Sequence, residues 1–428
     1  MPRLYEASIG DEVCVETLSS GCELYIYPLR GARETHILLT LNFGSIDRYY
    51  ATPGSSGLRS APAGVAHFIE HRLFEKPDGD ITERFNELGS DVDAQTSFTN
   101  TEYSTTFSDR LESNTALLLE TALEPHFTDE GIDREREIIT REINLYGDEV
   151  EWVCFSKAMD SLYRGQDIGI DVAGTVHSIS EIDRAVLEGC HRTFYRPERM
   201  AMFVCGDVDV AATRDLLSDL WGKYERKDAM PMVMERSTPR PAQERHTIRM
   251  NIAQPRLCLA FHDPLSGLSG EELLKRELCL EVGLDILFGP TSEFYARCYE
   301  TGLIDADSFD FELLSAPEFS FCHIGGNTSD PKKLEEVIVR ELETLADPEV
   351  IARDFERAMH KTLGALVRSY DDVEDCATMV YGEVFAGASP FTYFRTFRST
   401  SAEDVRTVTK SILDPGQFGL ALVLPLSA

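Results

Sequence analysis

Runs of apolar residues, alternating or continuous, divide the first part of the chain into predicted strands and helices. Residues 23–28 and 36–43 are apolar over the length of a strand and flank an Arg30-Gly31 turn, which predicts a β-hairpin. Residues 63–74 carry apolar side chains at helical spacing and predict a helix. A short helix is expected to follow, with Asp80 as its cap and Gly89 as its stop.

The pattern then predicts two short β segments at residues 91–96 and 101–107 and two long helices at 109–124 and 129–146. A helix over 179–194 is expected to be capped by Ser178 or Ser180. The first half closes with a buried strand and a helix, at residues 200–207 and 211–221.

The later half partly repeats this order. Predicted strands lie at residues 257–261, 319–324 and 418–424, and predicted helices at 270–287, 331–345 and 350–370. A chain of 428 residues suits two domains of about 200 residues each. The rhythm predicts an α+β protein of two similar domains, 1–225 and 246–428, joined by a charged, proline-containing linker at 226–245.

Composition narrows the range of partners and locations. A net charge of −33 argues against nucleic acid and anionic membranes, since both would be repelled. It suits basic or unfolded peptides, although a solvated surface or salt adaptation explains it as well. No window approaches the ~18–20 apolar residues of a membrane span, and the first residues lack a signal-peptide core, so a cytoplasmic location is expected. The 10 cysteines contain no C-x-x-C pair and are expected to be reduced, buried thiols.

Candidate metal chemistry lies on the predicted helix at residues 63–74. His67 and His71 are one turn apart and Glu70 lies beside them, in the order H-x-x-E-H of an inverted zinc motif. Two imidazoles at this spacing can hold zinc, and a neighbouring carboxylate can take a proton from the water that completes the coordination. The alternative is a helix whose histidines are surface groups or hydrogen-bonded core groups.

Two further segments could complete such a site. Glu135 and Glu142 are two helical turns apart on one face, and a carboxylate from a separate helix would complete a tetrahedral site. Alternating Glu and Arg on a helix are, however, also typical of a solvated, salt-bridged face. Residues 91–96 could form an edge strand on which Ala94 lets an extended peptide pair with the backbone, or an ordinary hairpin strand with no ligand.

These residues together resemble the pitrilysin, insulinase and mitochondrial-processing-peptidase family along nearly the whole chain, in its short two-domain form. His67, Glu70 and His71 match the family's inverted motif, and its paired glutamates fall on Glu135 and Glu142. The resemblance implies tandem α/β-sandwich domains, each a mostly antiparallel sheet covered by helices. It also implies Zn²⁺ held by the two histidines and Glu142, Glu70 as general base, and Glu135 as a carboxylate that supports ligand geometry.

Three weaker matches accompany the motif. Asp93-Ala94-Gln95-Thr96 resembles the family's substrate strand, with Asp93 in the place of the usual Asn. The loop around Gly174 resembles a glycine-containing family loop, and residues 203–207 resemble the strand that ends the first domain. Asp93, Ala94 and Thr96 are therefore candidate substrate-strand residues.

The second half departs from the family pattern. Members with a complete site carry an Arg and, seven residues later, a Tyr that bind the substrate carbonyl, but these places hold Tyr299 and Ala306. Short bacterial relatives of this type occur as paired gene products, in which one subunit brings zinc and the other brings Arg and Tyr. A heterodimer is therefore expected, in preference to a homodimer.

The expected function is that of a zinc endopeptidase subunit that encloses peptides in a chamber between two subunits. Zinc would lower the pKa of its bound water toward about 7, and Glu70 would take the proton and pass it to the leaving amine. The alternative is a non-catalytic zinc-binding or scaffold subunit, which the absence of the Arg and Tyr keeps open.

Overall fold

The computed structural model describes residues 1–6, 10–51, 57–226, 232–233, 236, 239–265 and 267–426, which fall into two compact units. Unit 1 comprises Met1–Ile143, Asp171–Arg236 and Val367–Gly382. Unit 2 comprises Asn144–Ile170, Ser237–Leu366 and Glu383–Ala428. Each unit is thus assembled from separate stretches of chain, and the linear division at residues 226–245 stays a prediction.

The strands are β1 (Arg3–Glu6), β2 (Asp11–Thr17), β3 (Glu23–Pro28), β4 (Thr35–Leu41), β5 (Tyr49–Ala51), β6 (Arg59–Ser60), β7 (Glu75–Lys76), β8 (Gly79–Asp80), β9 (Asp91–Thr96), β10 (Thr101–Phe107), β11 (Met200–Gly206), β12 (Met232–Val233), β13 (Arg245–Met250), β14 (Arg256–His262), β15 (Asp310–Ala316), β16 (Phe319–Asn327) and β17 (Gly419–Pro425).

The helices are α1 (Val65–Leu73), α2 (Ile81–Leu88), α3 (Leu111–Leu123), α4 (Asp129–Asp148), α5 (Val150–Tyr163), α6 (Val176–Ser180), α7 (Arg184–Phe194), α8 (Val210–Trp221), α9 (Glu271–Phe288), α10 (Glu293–Glu300), α11 (Pro331–Glu343), α12 (Glu349–Ala352), α13 (Phe355–Ser369), α14 (Val373–Phe385), α15 (Thr392–Ser399) and α16 (Ala402–Ile412).

The seven-stranded sheet of unit 1 has the order β1-β2-β3-β11-β4-β10-β9. β11 runs parallel to β3 and antiparallel to β4, so it separates the two strands that the sequence predicts as a hairpin. The hairpin prediction for residues 23–28 and 36–43 is therefore wrong. Residues 200–206 are almost all buried, and such a strand belongs in the middle of a sheet, with partners on both edges.

Unit 2 repeats this arrangement in a five-stranded sheet with the order β13-β17-β14-β16-β15. β17 runs parallel to β13 and antiparallel to β14, and the remaining pairs are antiparallel. The same succession of one parallel and three antiparallel pairings relates β3, β11, β4, β10 and β9 in unit 1. The predicted class, α+β with two similar and mostly antiparallel sheets covered by helices, is confirmed.

The caps observed at three helices test the predicted helix ends. The predicted ends of α2 are confirmed, since the Asp80 carboxylate accepts from the amide of Thr82 at 2.8 Å and Gly89 has a left-handed φ of 74°. The single helix predicted at 179–194 is instead α6 and α7. Thr175 caps α6 and Asp183 caps α7, so the prediction of Ser178 or Ser180 as the cap is wrong.

Two other helix predictions differ from the structure in the later half. The helix predicted at 350–370 is divided into α12 and α13. Helices α14, α15 and α16 lie in a stretch for which the sequence analysis predicts no element.

One face of the unit 1 sheet packs against helices around an apolar core. Phe68 and Ile69 of α1, Leu118 of α3 and Ile139 of α4 are fully buried in this core. Complete burial of a side chain of this size contributes about 1.5–3 kcal/mol. The core therefore fixes α1 and α4, the two helices that carry the candidate site.

The 10 cysteines all lie in the described part of the chain, are buried and form no disulfide. No described helix is both long enough and apolar enough to cross a membrane.

Candidate metal centre

The start of α1 is fixed by two glycines that let two backbones meet. Gly64, immediately before α1, has a left-handed φ of 87°. A Cβ on Gly64 would lie 2.4 Å from the carbonyl oxygen of Ala173, and one on Gly174 would lie 2.5 Å from that of Ala63. No side chain fits at either position. The loop around Gly174, singled out in the sequence, therefore fixes where α1 begins.

The structure brings His67, His71 and Glu142 together. The Nε2 atoms of His67 and His71 lie 3.2 Å apart. Each Nε2 lies 3.7 Å from one carboxylate oxygen of Glu142, which α4 supplies. Among the described residues, these form the group of three His, Cys, Asp or Glu side chains whose donor atoms, all within 4.8 Å of one another, could hold a metal ion.

The donor set fits zinc in chemistry and in spacing. Zinc–nitrogen bonds of about 2.0–2.1 Å in a tetrahedral site place neighbouring donors about 3.3 Å apart, close to the observed separations. Oε2 of Glu142 is buried and has no hydrogen-bond partner among the described residues. Burial, together with the neighbouring His71, lowers the pKa of His67 to about 3, so His67 is neutral at pH 7 and its lone pair is available.

Glu135 contacts His71 from the side opposite the other donors. Its Oε1 lies 3.1 Å from Nδ1 of His71, and its Oε2 lies 3.6 Å from Nη1 of the buried Arg72. Burial lowers the pKa of His71, but the hydrogen bond to Glu135 and the charges of nearby carboxylates outweigh it and raise that pKa. The Glu135 contact orients the imidazole and leaves Nε2 directed at Glu142.

Glu70 has the environment of a group that exchanges protons near neutral pH. It is buried, and the hydroxyl of Thr96 donates to its Oε2 at 2.5 Å. Burial raises the pKa of Glu70 to about 7, against the opposing effect of the Thr96 hydrogen bond. A carboxylate with such a pKa can both accept and return a proton at physiological pH.

The predicted substrate-strand residues lie on β9, at one end of the unit 1 sheet. β9 pairs with β10 on one side, and no other described strand pairs with it. Ala94 packs against the core, and both Asp93 and Ala94 line a cavity of about 110 Å³ together with Gln95 and Glu102. Thr96 differs from both, because its side chain contacts Glu70. β9 therefore offers an unpaired edge that ends beside Glu70.

The structure of unit 2 shows what occupies the positions aligned with the family's Arg and Tyr. Tyr299 lies on α10, is 58% exposed and stacks on Tyr295 with ring centroids 6.3 Å apart. Ala306 follows α10, and its carbonyl accepts from the hydroxyl of Tyr295 at 3.4 Å. Tyr299 carries a phenol where the family pattern has the guanidinium of Arg, and Ala306 carries a methyl group where it has the phenol of Tyr.

Sequence reasoning missed Arg72, which touches Glu135 and is completely buried. The sequence offered one signal, an Arg with a Glu three residues later at Glu75. This spacing is the same for an exposed helical salt bridge, so burial could not be predicted from it.

The fold and the His-His-Glu cluster together define a two-unit α+β protein with the donor set of a zinc hydrolase. Family models match two stretches of the chain: insulinase (peptidase family M16) at residues 53–176 and the peptidase M16 inactive domain at residues 181–362. The chain belongs to the insulinase family of peptidases, M16.

Individual relatives agree with this assignment. An uncharacterized zinc protease, YmfH of Bacillus subtilis, is 32% identical over 414 residues, which is 96% of each chain. The crystal structure of an M16-like peptidase from Alicyclobacillus acidocaldarius superimposes with a TM-score of 0.91 at 27% identity, covering 97% of this chain and 98% of that one. The periplasmic protease PqqL of Escherichia coli shares the fold, with a TM-score of 0.73 at 16% identity, over 100% of this chain and 48% of that one.

Proposed function

We propose that this chain is the zinc-bearing subunit of an endopeptidase that cleaves peptides or unfolded polypeptides inside a closed chamber. The observation that carries the proposal is the convergence of His67, His71 and Glu142 within 4.8 Å on two helices, with the buried Glu70 on one of them. Family membership and the names of the relatives support a peptidase of this kind.

His67 and His71 would hold zinc through their Nε2 atoms, and Glu142 through its carboxylate. When bound, zinc supplies a Lewis acid that polarises a carbonyl group and makes water a nucleophile near neutral pH. Glu135 would keep the ring of His71 in the orientation that presents Nε2.

Glu70 would move the proton. Its carboxylate takes a proton from the attacking water and returns it to the nitrogen of the leaving amine, so the peptide bond is broken with no net change at Glu70. The Thr96 hydroxyl holds one oxygen of Glu70 and leaves the other for proton transfer.

A substrate would pair with the open edge of β9 by β-augmentation, since this edge has no other described strand on it. Main-chain hydrogen bonds would then bind an extended peptide with little dependence on sequence. Asp93 and Ala94 would contact the peptide as members of this edge.

The test of this function is the substitution Glu70→Gln, which keeps the shape of the side chain and removes its basicity. We expect cleavage of a peptide library to fall by about 10²–10⁴-fold. The zinc content, measured by elemental analysis on the same preparation, should not change. Undiminished cleavage by a zinc-loaded Glu70→Gln protein would overturn the assignment of Glu70.

The partner proposed for this chain is a second family subunit that supplies the Arg and Tyr absent at Tyr299 and Ala306. The purified chain alone should then cleave weakly, and a mixture with the short family member encoded beside it should be active and sensitive to a chelator. Equal activity without the partner would exclude the heterodimer.

The second candidate function, a non-catalytic zinc-binding or scaffold subunit, is favoured by the same two positions. It predicts zinc binding without cleavage in both the single protein and the mixture. A cytoplasmic location remains a prediction, and one structural neighbour is a periplasmic protein.

A further inference from the structure

We propose that Arg72 is a positioning residue for the metal ligand His71, acting through Glu135, and that it joins α1 to α4 at the metal centre. This inference rests on the zinc site of the proposed function and adds a residue to it. Four observations in unit 1 carry it: the burial of Arg72, its contacts, the geometry of Glu135 and the position of Gly131.

Arg72 has no exposed surface and lies between charged and polar groups of three segments. Its Nη1 donates to Glu75 at 2.6 Å and lies 3.6 Å from Oε2 of Glu135. Its Nη2 donates to the carbonyl of His126 at 3.3 Å. A guanidinium stays charged at any physiological pH, so its burial requires these partners.

Glu135 connects Arg72 to the metal ligand, because its two oxygens contact different groups. Oε1 lies 3.1 Å from Nδ1 of His71, and Oε2 faces the guanidinium. A carboxylate held by a fixed cation on one side keeps its other oxygen in place as an acceptor. The His71 ring is thereby held with Nε2 directed at the other ligands.

α4 has a glycine where the guanidinium of Arg72 approaches it. A Cβ on Gly131 would lie 2.4 Å from Nη2 and 2.9 Å from Cζ of Arg72. Gly131 lies one helical turn before Glu135 on the same helix. The helix that carries Glu135 and Glu142 therefore leaves space for a side chain from the helix that carries His67 and His71.

A purely structural ion pair would make the same contacts, so the test must measure the metal site itself. The matched control is Arg134, which also pairs with Glu75, at 2.9 Å, but is 56% exposed. Arg134→Met removes a cation from the same carboxylate without touching Glu135. Arg72→Lys keeps the charge, whereas Arg72→Met removes it.

The experiment measures the dissociation constant of zinc by competition with a chelator of known affinity, well below the unfolding temperature of each variant. Loss of a group that supports a ligand costs about 10–100-fold in metal affinity, and we expect such a loss for Arg72→Met. Arg72→Lys should recover part of it, and Arg134→Met should bind as the wild type does. The visible spectrum of the Co²⁺-substituted protein should change in Arg72→Met, since the His71 ring loses its fixed orientation.

Wild-type zinc affinity in a folded Arg72→Met protein would overturn the role of Arg72 and leave the zinc site itself intact. A wild-type protein that binds no zinc would instead refute the zinc site and this inference together. If Arg72→Met does not fold, Arg72→Lys and Gly131→Ala carry the test. Arg72→Lys replaces the guanidinium with an ammonium group, Gly131→Ala displaces the guanidinium, and both keep the positive charge. Wild-type affinity in both would then refute the proposal.

Discussion

Five strands in each unit share one order and set of directions, but the two units join their helices in different ways. In unit 1, α1 comes after β4 and the two short strands β5 and β6, and it meets α4 through His67, His71 and Glu142, with donor atoms within 4.8 Å. In unit 2, α9 follows β14 and meets α13 through ion pairs. Asp285 of α9 lies 2.5 Å from Nζ of Lys361 and 3.6 Å from Nη1 of Arg357.

The two helix contacts differ in the groups that lie beside their carboxylates. The unit 2 helix pair contains its own cations, so the buried Asp285 is already paired. Unit 1 also has a cation between its helices, Arg72 at 3.6 Å from Glu135, but the three donors themselves are two imidazoles and a carboxylate, with no Lys or Arg among them. α9 contains no histidine at all. One scaffold thus carries a cluster of potential metal ligands in unit 1 and a salt-bridged helix contact in unit 2.

The two units should differ most strongly in how their stability depends on pH. In unit 1, burial lowers the pKa of His191 to about 3. The unfolded chain binds a proton near pH 6.5 and the folded one does not, so stability falls as the pH drops below 6.5. In unit 2, burial raises the pKa of Glu383 to about 7 despite hydrogen bonds from the amides of Tyr393 and Phe391. This folded carboxyl holds a proton that the unfolded one has lost, so stability falls as the pH rises from 4.5 through 7.

Acidification from pH 7.5 to pH 5 should therefore lower the free energy of unfolding of unit 1 by about 2 kcal/mol through His191. The same change should raise the free energy of unfolding of unit 2 by about 2 kcal/mol through Glu383. Urea unfolding can be followed separately in each unit, because Trp221 lies in unit 1 and Trp152 in unit 2. His191→Gln and Glu383→Gln should change the pH dependence in opposite directions. Unchanged pH profiles in both variants would contradict the stated ionisation of these groups.

A smaller effect is expected at the contact between the edge strand β9 and α1. Thr96→Val removes the hydroxyl that holds Glu70 and should lower kcat about tenfold with little change in KM, because hydrogen bonds to charged groups are worth about 1.5–3 kcal/mol. Thr96→Ser should retain most of the activity. The control is Thr105→Val, since the Thr105 hydroxyl donates to the carbonyl of Asp91 at 2.8 Å, away from Glu70. Equal losses in the Thr96 and Thr105 variants would indicate only a disturbed strand.

The features that could be predicted from the sequence are those that depend on neighbouring residues, such as helix faces and helix ends. The positions of His67 and His71 on one helix face follow from a spacing of four residues, and the ends of α2 follow from Asp80 and Gly89. The hairpin prediction failed because β11, which separates β3 from β4, comes about 160 residues later in the chain.

The burial of Arg72 depends on the space that Gly131 leaves on another helix, and no local pattern reports that contact. The position of Glu142 beside the histidines could not be predicted from local sequence either, because alternating Glu and Arg residues are also typical of an exposed helix. Only the family resemblance connected it with the histidines before the structure placed it beside them.

The most direct test of the account is the zinc content per chain of three proteins, each supplied with excess zinc and freed of unbound metal by gel filtration. We predict about one zinc for the wild type, none for His71→Ala, and about one for Asp285→Asn, because the unit 2 helix pair takes no part in metal binding. A wild-type chain without zinc, or a His71→Ala chain that retains it, would contradict the account.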